Sequence, residues 1–347
     1  MKKVFLLLFL PLFSFGQTNH LLEDTIKLKY KKSIVVQDLI NHFKILASDS
    51  LEGRETGKPG QKMAAEYIAN QFKKIGIPPY KKNTYYQKFS VDAEKHSCKC
   101  STCDAPFLKN ILYKNKIKGE NVLGYIEGRD LKDEVIIITA HYDHLGKHDT
   151  LIFNGADDDA SGTVAALEIA EAFMQAKKEG NGPRRSVLIM PVSGEEKGLL
   201  GSKYYTENPI YPLDKTIANL NIDMIGRVDE YHDNPNYVYL IGSDRLSDDL
   251  HEISEEVNKK HFNIELDYTY NSEDDPNRYY YRSDHYNFAK KNIPVIFYFN
   301  GIHEDYHKTS DTAEKINFQK IEKISRLIFL TAWELANREE KPQLNKQ

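Results

Sequence analysis

Acidic and imidazole side chains follow four apolar segments of this 347-residue sequence. The segments are "EVIIITA" (134–140), "RSVLIMPVS" (185–193), "KTIANLNIDMIG" (215–226) and "NIPVIFYFNG" (292–301), and the polar residues at or beyond their ends are His141, Asp143, His144, Glu195, Glu196, Asp223, His303, His307 and Asp311. Such runs are typical of strands buried on both faces of a sheet. Ligands of an open α/β sheet bind beyond the carboxyl ends of its strands, so we expect these side chains along one edge.

Three consecutive aspartates, Asp157, Asp158 and Asp159, stand in "NGADDDASG", just before a helical pattern. Alone, such a triplet is compatible with a helix N-cap and the favourable helix dipole. Next to the other carboxylates, it would produce strong repulsion unless cations were bound. Nitrogen and oxygen donors without thiolates suit zinc. The sequence therefore predicts a metal centre at this edge.

Helical and strand patterns alternate along the chain between residues 120 and 340. Helices are predicted over residues 35–48, 61–76, 161–178, 247–261 and 318–338, and strands over the four segments above and over residues 121–128 and 236–243. This alternation predicts a three-layer α/β/α fold with a mostly parallel mixed central sheet. We expect one domain over residues 17–347, with an irregular, cysteine-containing insertion at 93–120.

The first sixteen residues, "MKKVFLLLFLPLFSFG", have the pattern of a secretory signal peptide cut before Gln17. Their apolar run is shorter than the roughly 20 residues of a membrane-spanning helix, so no stable membrane anchor is expected. This pattern predicts an exported protein, periplasmic or extracellular. The net charge of −4 and the lack of a basic, aromatic-rich stretch argue against a nucleic-acid partner. The sequence does not indicate the oligomeric state.

All three cysteines, Cys98, Cys100 and Cys103, lie in the short stretch "CKCSTC". Export would permit a disulfide, and an odd number leaves one thiol free or shared. We expect a local disulfide without assigning the pair. A metal site is the alternative, although it lacks an obvious fourth ligand.

Five blocks of the sequence resemble the secreted di-zinc aminopeptidases, which include the bacterial leucine aminopeptidases and the aminopeptidase Y group. The blocks are "AHYDHLG", "NGADDDASG", "SGEEKGLLGS", "NIDMIG" and "YHKTSDT", and their order and approximate spacing are similar to those of the family. The resemblance extends over residues 40–335. It implies the phosphorylase/hydrolase-like architecture of zinc exopeptidases, two Zn²⁺ per chain, and peptide substrates with a free N-terminus.

The resemblance also implies a ligand set: His141 and Asp223 on the first zinc, Glu196 and His307 on the second, and Asp158 bridging both. It further implies a cis peptide bond between Asp158 and Asp159. Asp143 is expected to hold the imidazole of His141 through its carboxylate.

The remaining roles are also implied by resemblance. Glu195 is expected to be the general base, since a carboxylate must take the proton of the attacking water. Tyr280 and Tyr306 are the candidates for an oxyanion donor. Asp159 and Asp284 are expected to support the ligands from behind.

Three other functions remain open at this point. Single-zinc glutaminyl-peptide cyclotransferases have the same fold, and metal content would distinguish them from a di-zinc peptidase. A non-catalytic peptidase-like domain is disfavoured because every expected ligand position is retained. A carboxypeptidase would need an arginine for the substrate carboxylate, for which Arg227 and Arg282 are the candidates.

Overall fold

The computed structural model describes residues 24–92 and 116–346 of the chain. The strands are β1 (Tyr86–Asp92), β2 (Lys116–Val122), β3 (Gly124–Ile126), β4 (Leu131–His141), β5 (Gly146–His148), β6 (Leu151–Phe153), β7 (Arg185–Val192), β8 (Thr216–Ile222), β9 (Tyr237–Ile241), β10 (Glu265–Asp267) and β11 (Val295–Phe299). The helices that bear on the site are α1 (Val36–Leu46), α2 (Pro59–Ile75), α3 (Gly162–Lys178), α4 (Leu200–Glu207), α5 (Asp248–His261), α6 (His285–Ala289) and α7 (Phe318–Asn337).

Seven strands form the central sheet, in the order β10-β9-β11-β8-β4-β7-β3. The middle strands β11, β8, β4 and β7 are mutually parallel, so their carboxyl ends share one edge. β3 joins β7 and β9 joins β11 in antiparallel pairs, while β10 is parallel to β9. The predicted mixed, mostly parallel sheet is confirmed.

The two faces of the sheet are covered unequally. Side chains such as Ile136 and Leu220 pack against a core that includes Phe43 of α1, Phe173 of α3 and Leu327 of α7. The opposite face packs against the short helices α4 and α6 and against aromatic loop residues. The three-layer α/β/α prediction is therefore confirmed, with a thinner layer on the second face.

Local signals in the sequence fix several of the element ends. α2 begins with Pro59, whose missing N–H costs nothing there, and is capped at its C-terminal end by Gly76, which lies in the left-handed region at φ 89°. The Ser247 side chain accepts a hydrogen bond from the Leu250 N–H at the start of α5. The predicted helices and strands agree with the observed ones to within a few residues.

Two predictions fall largely outside the described residues. The signal segment and the three cysteines are not described, and of the insertion at 93–120 only residues 116–120 are. These five residues belong to β2, which pairs antiparallel with β1. The single domain over residues 17–347 stays a prediction. Among the residues described, no helix combines the length and the apolar character that crossing a membrane requires.

Candidate metal centre

Four parallel strands end at one edge of the sheet, and each brings ionisable side chains there. β4 ends at His141, and Asp223 directly follows β8. Glu195 and Glu196 follow β7 after a short turn, and His307 lies in the loop after β11. The edge therefore gathers the imidazole and carboxylate groups that the sequence predicted there.

One group of ligand-type atoms surrounds the end of β4. Nε2 of His141 lies 3.1 Å from Oδ1 of Asp158 and 3.4 Å from Oδ1 of Asp223. Nδ1 of the same ring lies 3.0 Å from the backbone carbonyl oxygen of Asp143. Because a carbonyl only accepts, Nδ1 carries a proton, which leaves Nε2 as the ring nitrogen that could bind a metal between the two carboxylates.

The structure corrects the predicted role of Asp143. Its carbonyl, rather than its carboxylate, holds the ring of His141, since the nearer carboxylate oxygen lies 3.9 Å from Nδ1. That carboxylate instead accepts hydrogen bonds from the Thr56 hydroxyl (2.6 Å) and the Glu195 N–H (3.3 Å). Asp143 thus ties the loop after β4 to the turn after β7.

A second group of ligand-type atoms lies on the other side of Asp158. Nε2 of His307 is 3.1 Å from Oδ2 of Asp158 and 3.3 Å from Oε2 of Glu196. The two oxygens of the Asp158 carboxylate therefore face different groups, which is the arrangement of a bridging ligand. The peptide bond between Asp158 and Asp159 is cis, which confirms that prediction.

His144 also belongs to the second group, although the sequence analysis assigned it no role. Its Nδ1 lies 2.8 Å from Oε1 of Glu196 and 3.7 Å from Oδ2 of Asp158. Its side chain is fully buried. The only signal in the sequence was its place in "HYDH", three residues after His141.

Asp159 anchors three segments of backbone at the centre. Its carboxylate accepts hydrogen bonds from the N–H groups of His141 (3.1 Å), Gly162 (2.8 Å) and Met224 (3.1 Å). A Cβ at Gly162 would stand 2.5 Å from this carboxylate, so the first residue of α3 must be glycine. Asp159 thus holds the backbone of β4, α3 and the segment after β8 together, which is compatible with the supporting role expected of it.

Asp157 also faces away from the ligand groups. Its Oδ1 accepts a hydrogen bond from the Gly226 N–H (2.6 Å), and its Oδ2 lies 3.2 Å from Nε2 of His303. The carboxylate of Asp311 accepts from the N–H groups of Asp157 (3.0 Å) and Asp158 (3.3 Å). Of the three consecutive aspartates, only Asp158 presents its carboxylate to both ligand groups, and its neighbours hold the loop.

Glu195 lies in a pocket together with the first group. Its polar lining also includes His141, Asp158, Asp223, Ser283 and Arg282, and Phe297, Phe299, Tyr279, Tyr306 and Ile302 are among the apolar and aromatic residues. Burial, together with the like charges of Glu196 and Asp223, raises the pKa of Glu195 well above its ordinary value. Cations bound between these carboxylates would offset part of that repulsion.

The two candidate oxyanion tyrosines lie in different places. Tyr306 lines the pocket, its ring stacked on that of His307 at 3.8 Å, and burial raises the pKa of its hydroxyl well above the usual value. Tyr280 is not among the pocket residues: its ring packs beneath the Arg245 guanidinium at 4.0 Å. The neighbouring Tyr279 lines the pocket instead, so of the two predicted tyrosines the structure places only Tyr306 at the centre.

Asp284 is buried behind the pocket. It accepts a hydrogen bond from the Ser202 hydroxyl, which also accepts one from the Asn287 amide at 2.8 Å. Burial raises the pKa of Asp284 to about 7. These contacts hold α4 against α6, and the supporting role of Asp284 stays a prediction.

The residues present fit divalent metal ions. His141, Asp158 and Asp223 can offer atoms within 4.8 Å of one another, and so can His144, Asp158 and Glu196. Nδ1 of His144 and Oε1 of Glu196 are buried without a hydrogen-bond partner among the described residues. Buried polar atoms are rarely left unpaired, and these nitrogen and oxygen donors without thiolates suit zinc.

Asp223 is fixed by a hydrogen-bond relay that sequence reasoning missed. The Ser283 hydroxyl donates to Oδ2 of Asp223 (2.5 Å) and accepts from the Asn221 amide (2.8 Å). Oδ1 of Asn221 accepts from the Thr139 hydroxyl of β4 at 2.6 Å. The relay leaves Oδ1 of Asp223 facing His141.

We expect Ser283→Ala to weaken metal binding at the position served by Asp223 by about 10–100-fold, because partners of ligating carboxylates orient them. Competition with a chelator would measure this affinity. Ser325→Ala, at a fully buried serine of α7 that has no hydrogen-bond partner among the described residues, is the matched control. Equal metal affinities in the two variants would contradict the relay.

Comparison with known proteins defines the family. Residues 121–332, more than half of the chain, match the sequence profile of peptidase family M28. The chain belongs to this family. The matched region contains the residues that follow the four parallel strands, from His141 to His307. The family assignment therefore rests on the same segment as the metal centre.

Individual relatives either match only part of this M28 peptidase or have low sequence identity to it. A probable glutamate carboxypeptidase, LAMP1, of Arabidopsis thaliana is 36% identical over 107 residues, which are 30% of this chain and 15% of that protein. The LapA aminopeptidase of Legionella pneumophila is 21% identical, with a TM-score of 0.67 over 92% of this chain and 76% of that one. BSAP, a zinc aminopeptidase of Bacillus subtilis, is 16% identical, with a TM-score of 0.66 over 90% and 98%. The structural similarities support the fold.

Proposed function

We propose that this chain is a metallo-aminopeptidase that removes N-terminal residues from peptides, with two zinc ions per chain. The observation that carries the proposal is the position of Asp158, whose two carboxylate oxygens face His141 and His307 on opposite sides. Glu195 lines the pocket on the same edge. A bridged pair of ligand groups beside a further carboxylate is the arrangement that metal-assisted peptide hydrolysis requires.

Two zinc ions held at these groups would polarise the scissile carbonyl and lower the pKa of the attacking water. The carboxylate of Glu195 takes a proton from that water as its oxygen bonds to the carbonyl carbon. Glu195 then gives the proton to the amide nitrogen as the C–N bond breaks, so the products are an amino acid and a peptide amine. Tyr306 lies where its hydroxyl can approach the developing oxyanion.

The free α-ammonium of the substrate would be attracted by the negative charge of the pocket. Asp157 and Asp159 are unsuited to this role, because their carboxylates accept backbone N–H groups and do not line the pocket. The carboxylates that line it are Asp158, Glu195 and Asp223. Because Asp158 and Asp223 would be bound to zinc, we assign the attraction to Glu195.

A carboxypeptidase is the second candidate function, because one arginine lines the pocket. Arg282 lines the pocket and could meet a substrate carboxylate, and the Arabidopsis relative is described as a probable glutamate carboxypeptidase. The other sequence candidate, Arg227, is paired with Glu304 at 3.0 Å and Asp305 at 2.9 Å. It is therefore unsuited to the role.

An assay panel on the purified chain tests the proposal. We expect hydrolysis of amino-acid anilides and release of N-terminal residues, loss of both after chelation, and two zinc ions per chain by elemental analysis. Cleavage only at C-termini would indicate the carboxypeptidase. One zinc with pyroglutamyl product would indicate the cyclotransferase, and inactivity of the fully zinc-loaded chain would favour a non-catalytic domain.

We also propose that the protein is exported. The proposal is supported by the signal-peptide pattern of residues 1–16, which precedes the described residues. N-terminal sequencing of the protein from culture supernatant and periplasm would test it. A chain that retains Met1 in the cytoplasm would contradict it.

A further inference from the structure

His144 is the one buried histidine of the metal centre without a part in the proposed five-ligand set. Its ring and the ring of His307 lie 5.8 Å apart on either side of Glu196. Nδ1 of His144 is 2.8 Å from Oε1 of Glu196, yet neither atom has a hydrogen bond of acceptable geometry. A nitrogen and an oxygen this close, neither with a hydrogen bond, are placed so that both could bind one metal ion.

The backbone makes room for this imidazole. Gly155 has φ 52°, and a Cβ there would stand 2.4 Å from Cγ of His144. Only glycine therefore permits the ring in its observed position. The guanidinium of Arg54 donates to the carbonyl oxygens of Gly155 (2.9 Å) and Tyr142 (2.8 Å), which fixes the Gly155 loop relative to the loop of His144. The position of the ring is thus built by residues distant in sequence.

The ring nitrogens of His144 are buried without hydrogen bonds, which is energetically costly. His144 is 1% exposed, and both of its ring nitrogens lack a hydrogen-bond partner among the described residues. A buried polar atom without a partner costs about 1–3 kcal/mol, so such a ring is retained only where something compensates it. Nδ1 lies close to the carboxylates of Glu196 and Asp158, and the three side chains together could hold a metal ion.

We propose that His144 is a ligand of the second metal position, through Nδ1, alongside Glu196, His307 and Asp158. The inference rests on the proposed two-metal function and adds a residue to it. The two positions then differ, since one has the single imidazole of His141 and the other has two imidazoles. The extra neutral donor should make the second position the one that retains its metal longer under chelation.

A purely positioning role for His144 is the competing explanation. In that role Nδ1–H would donate to Glu196 and hold it for the metal. The amide nitrogen of asparagine stands close to where Nδ1 of histidine does, so His144→Asn can keep such a donor but supplies a poor zinc ligand. His144→Ala removes both the donor and the ligand. The pair of variants therefore separates ligation from positioning.

The experiment is a zinc and Co²⁺ titration of the metal-free full chain in competing chelator, with the absorption spectrum of the Co²⁺ form as a second readout. Glu196→Gln and Asp223→Asn mark the loss of the second and the first position. We expect His144→Ala and His144→Asn each to weaken one of two sites by more than about 100-fold, beyond the 10–100-fold typical of supporting residues. Their Co²⁺ spectra should match that of Glu196→Gln.

His285→Asn is the matched control, because His285 is equally buried and its ring stacks on Phe297 at 4.7 Å. Circular dichroism would verify the fold of each variant. His144→Asn with a zinc affinity within about 10-fold of the parent would overturn the inference and assign positioning instead. A parent chain that binds fewer than two metal ions would instead count against the proposed function.

Discussion

Glu195→Gln is expected to lower kcat for peptide hydrolysis by about 100-fold or more while the two proposed zinc ions remain bound. Glutamine has the shape of glutamate but cannot take a proton from the attacking water. Glu195 lines the pocket beside His141 and Asp158, and its side chain belongs to neither cluster of ligand-type atoms. The loss should therefore appear in turnover rather than in metal content.

Glu196→Gln is the matched comparison, because it makes the same chemical change one residue further along the turn. Oε2 of Glu196 lies 3.3 Å from Nε2 of His307, so this variant should lose zinc from the second position first. Steady-state kinetics at saturating zinc, with zinc analysis of both variants, distinguishes the two roles. Activity of Glu195→Gln near that of the parent would remove Glu195 from the mechanism.

The sequence predicted the scaffold of the site well because apolar runs report burial directly. The runs that became β4, β7, β8 and β11 are buried along nearly their whole length, and parallel strands must end at one edge. Polar residues at the ends of these runs were therefore placed together without knowledge of any loop. The same reasoning explains why Asp158, which precedes a helix on that edge, was placed with them.

Residues whose roles depend on loop conformation could not be predicted in this way. His144 follows His141 by three residues, but the direction of its ring depends on the left-handed Gly155, eleven residues further on. Ser283 reaches Asp223 across 60 residues of sequence. The choice between Tyr279 and Tyr280 depends on the register of a single short turn. Periodicity contains no information about any of these contacts.

Asp143 shows a different reason for error. A carboxylate two residues after a metal-type histidine suggests a direct contact, but the carbonyl of the same residue can reach the ring first. The carboxylate is then available to Thr56 and to the Glu195 N–H. Residue type pointed to Asp143 as the neighbour of His141, and the backbone conformation decided which of its atoms makes the contact.

Arg54 is the buried residue on which the loops of the centre converge. Its guanidinium donates to the carbonyl oxygens of Leu46 (2.5 Å), Tyr142 (2.8 Å), Asn154 (2.6 Å) and Gly155 (2.9 Å). These carbonyls belong to the end of α1, the loop after β4 and the loop before the three aspartates. Burial lowers the pKa of Arg54 to about 10, while the carboxylates of the centre act in the opposite direction, so the side chain stays charged at neutral pH.

Arg54→Met is expected to lower the free energy of unfolding by about 3 kcal/mol or more, because each buried carbonyl left unpaired costs about 1–3 kcal/mol. Arg54→Lys should recover little of this loss, since one ammonium cannot replace a planar fork that reaches four acceptors. Arg245→Met is the control: Arg245 donates to two carbonyls, those of Asn271 and Ser272, from a more exposed site, so its loss should be smaller.

Denaturant unfolding of the zinc-loaded and metal-free forms would measure these losses. Because Arg54 fixes the loops of both Tyr142 and Gly155, we also expect its removal to weaken zinc binding by about 10–100-fold, as for other residues that orient ligands. The loss of stability should then be larger in the zinc-loaded form than in the metal-free form, since bound metal stabilises only the folded chain. An Arg54→Met variant as stable as Arg245→Met, with unchanged zinc affinity, would show that the carbonyls find other partners.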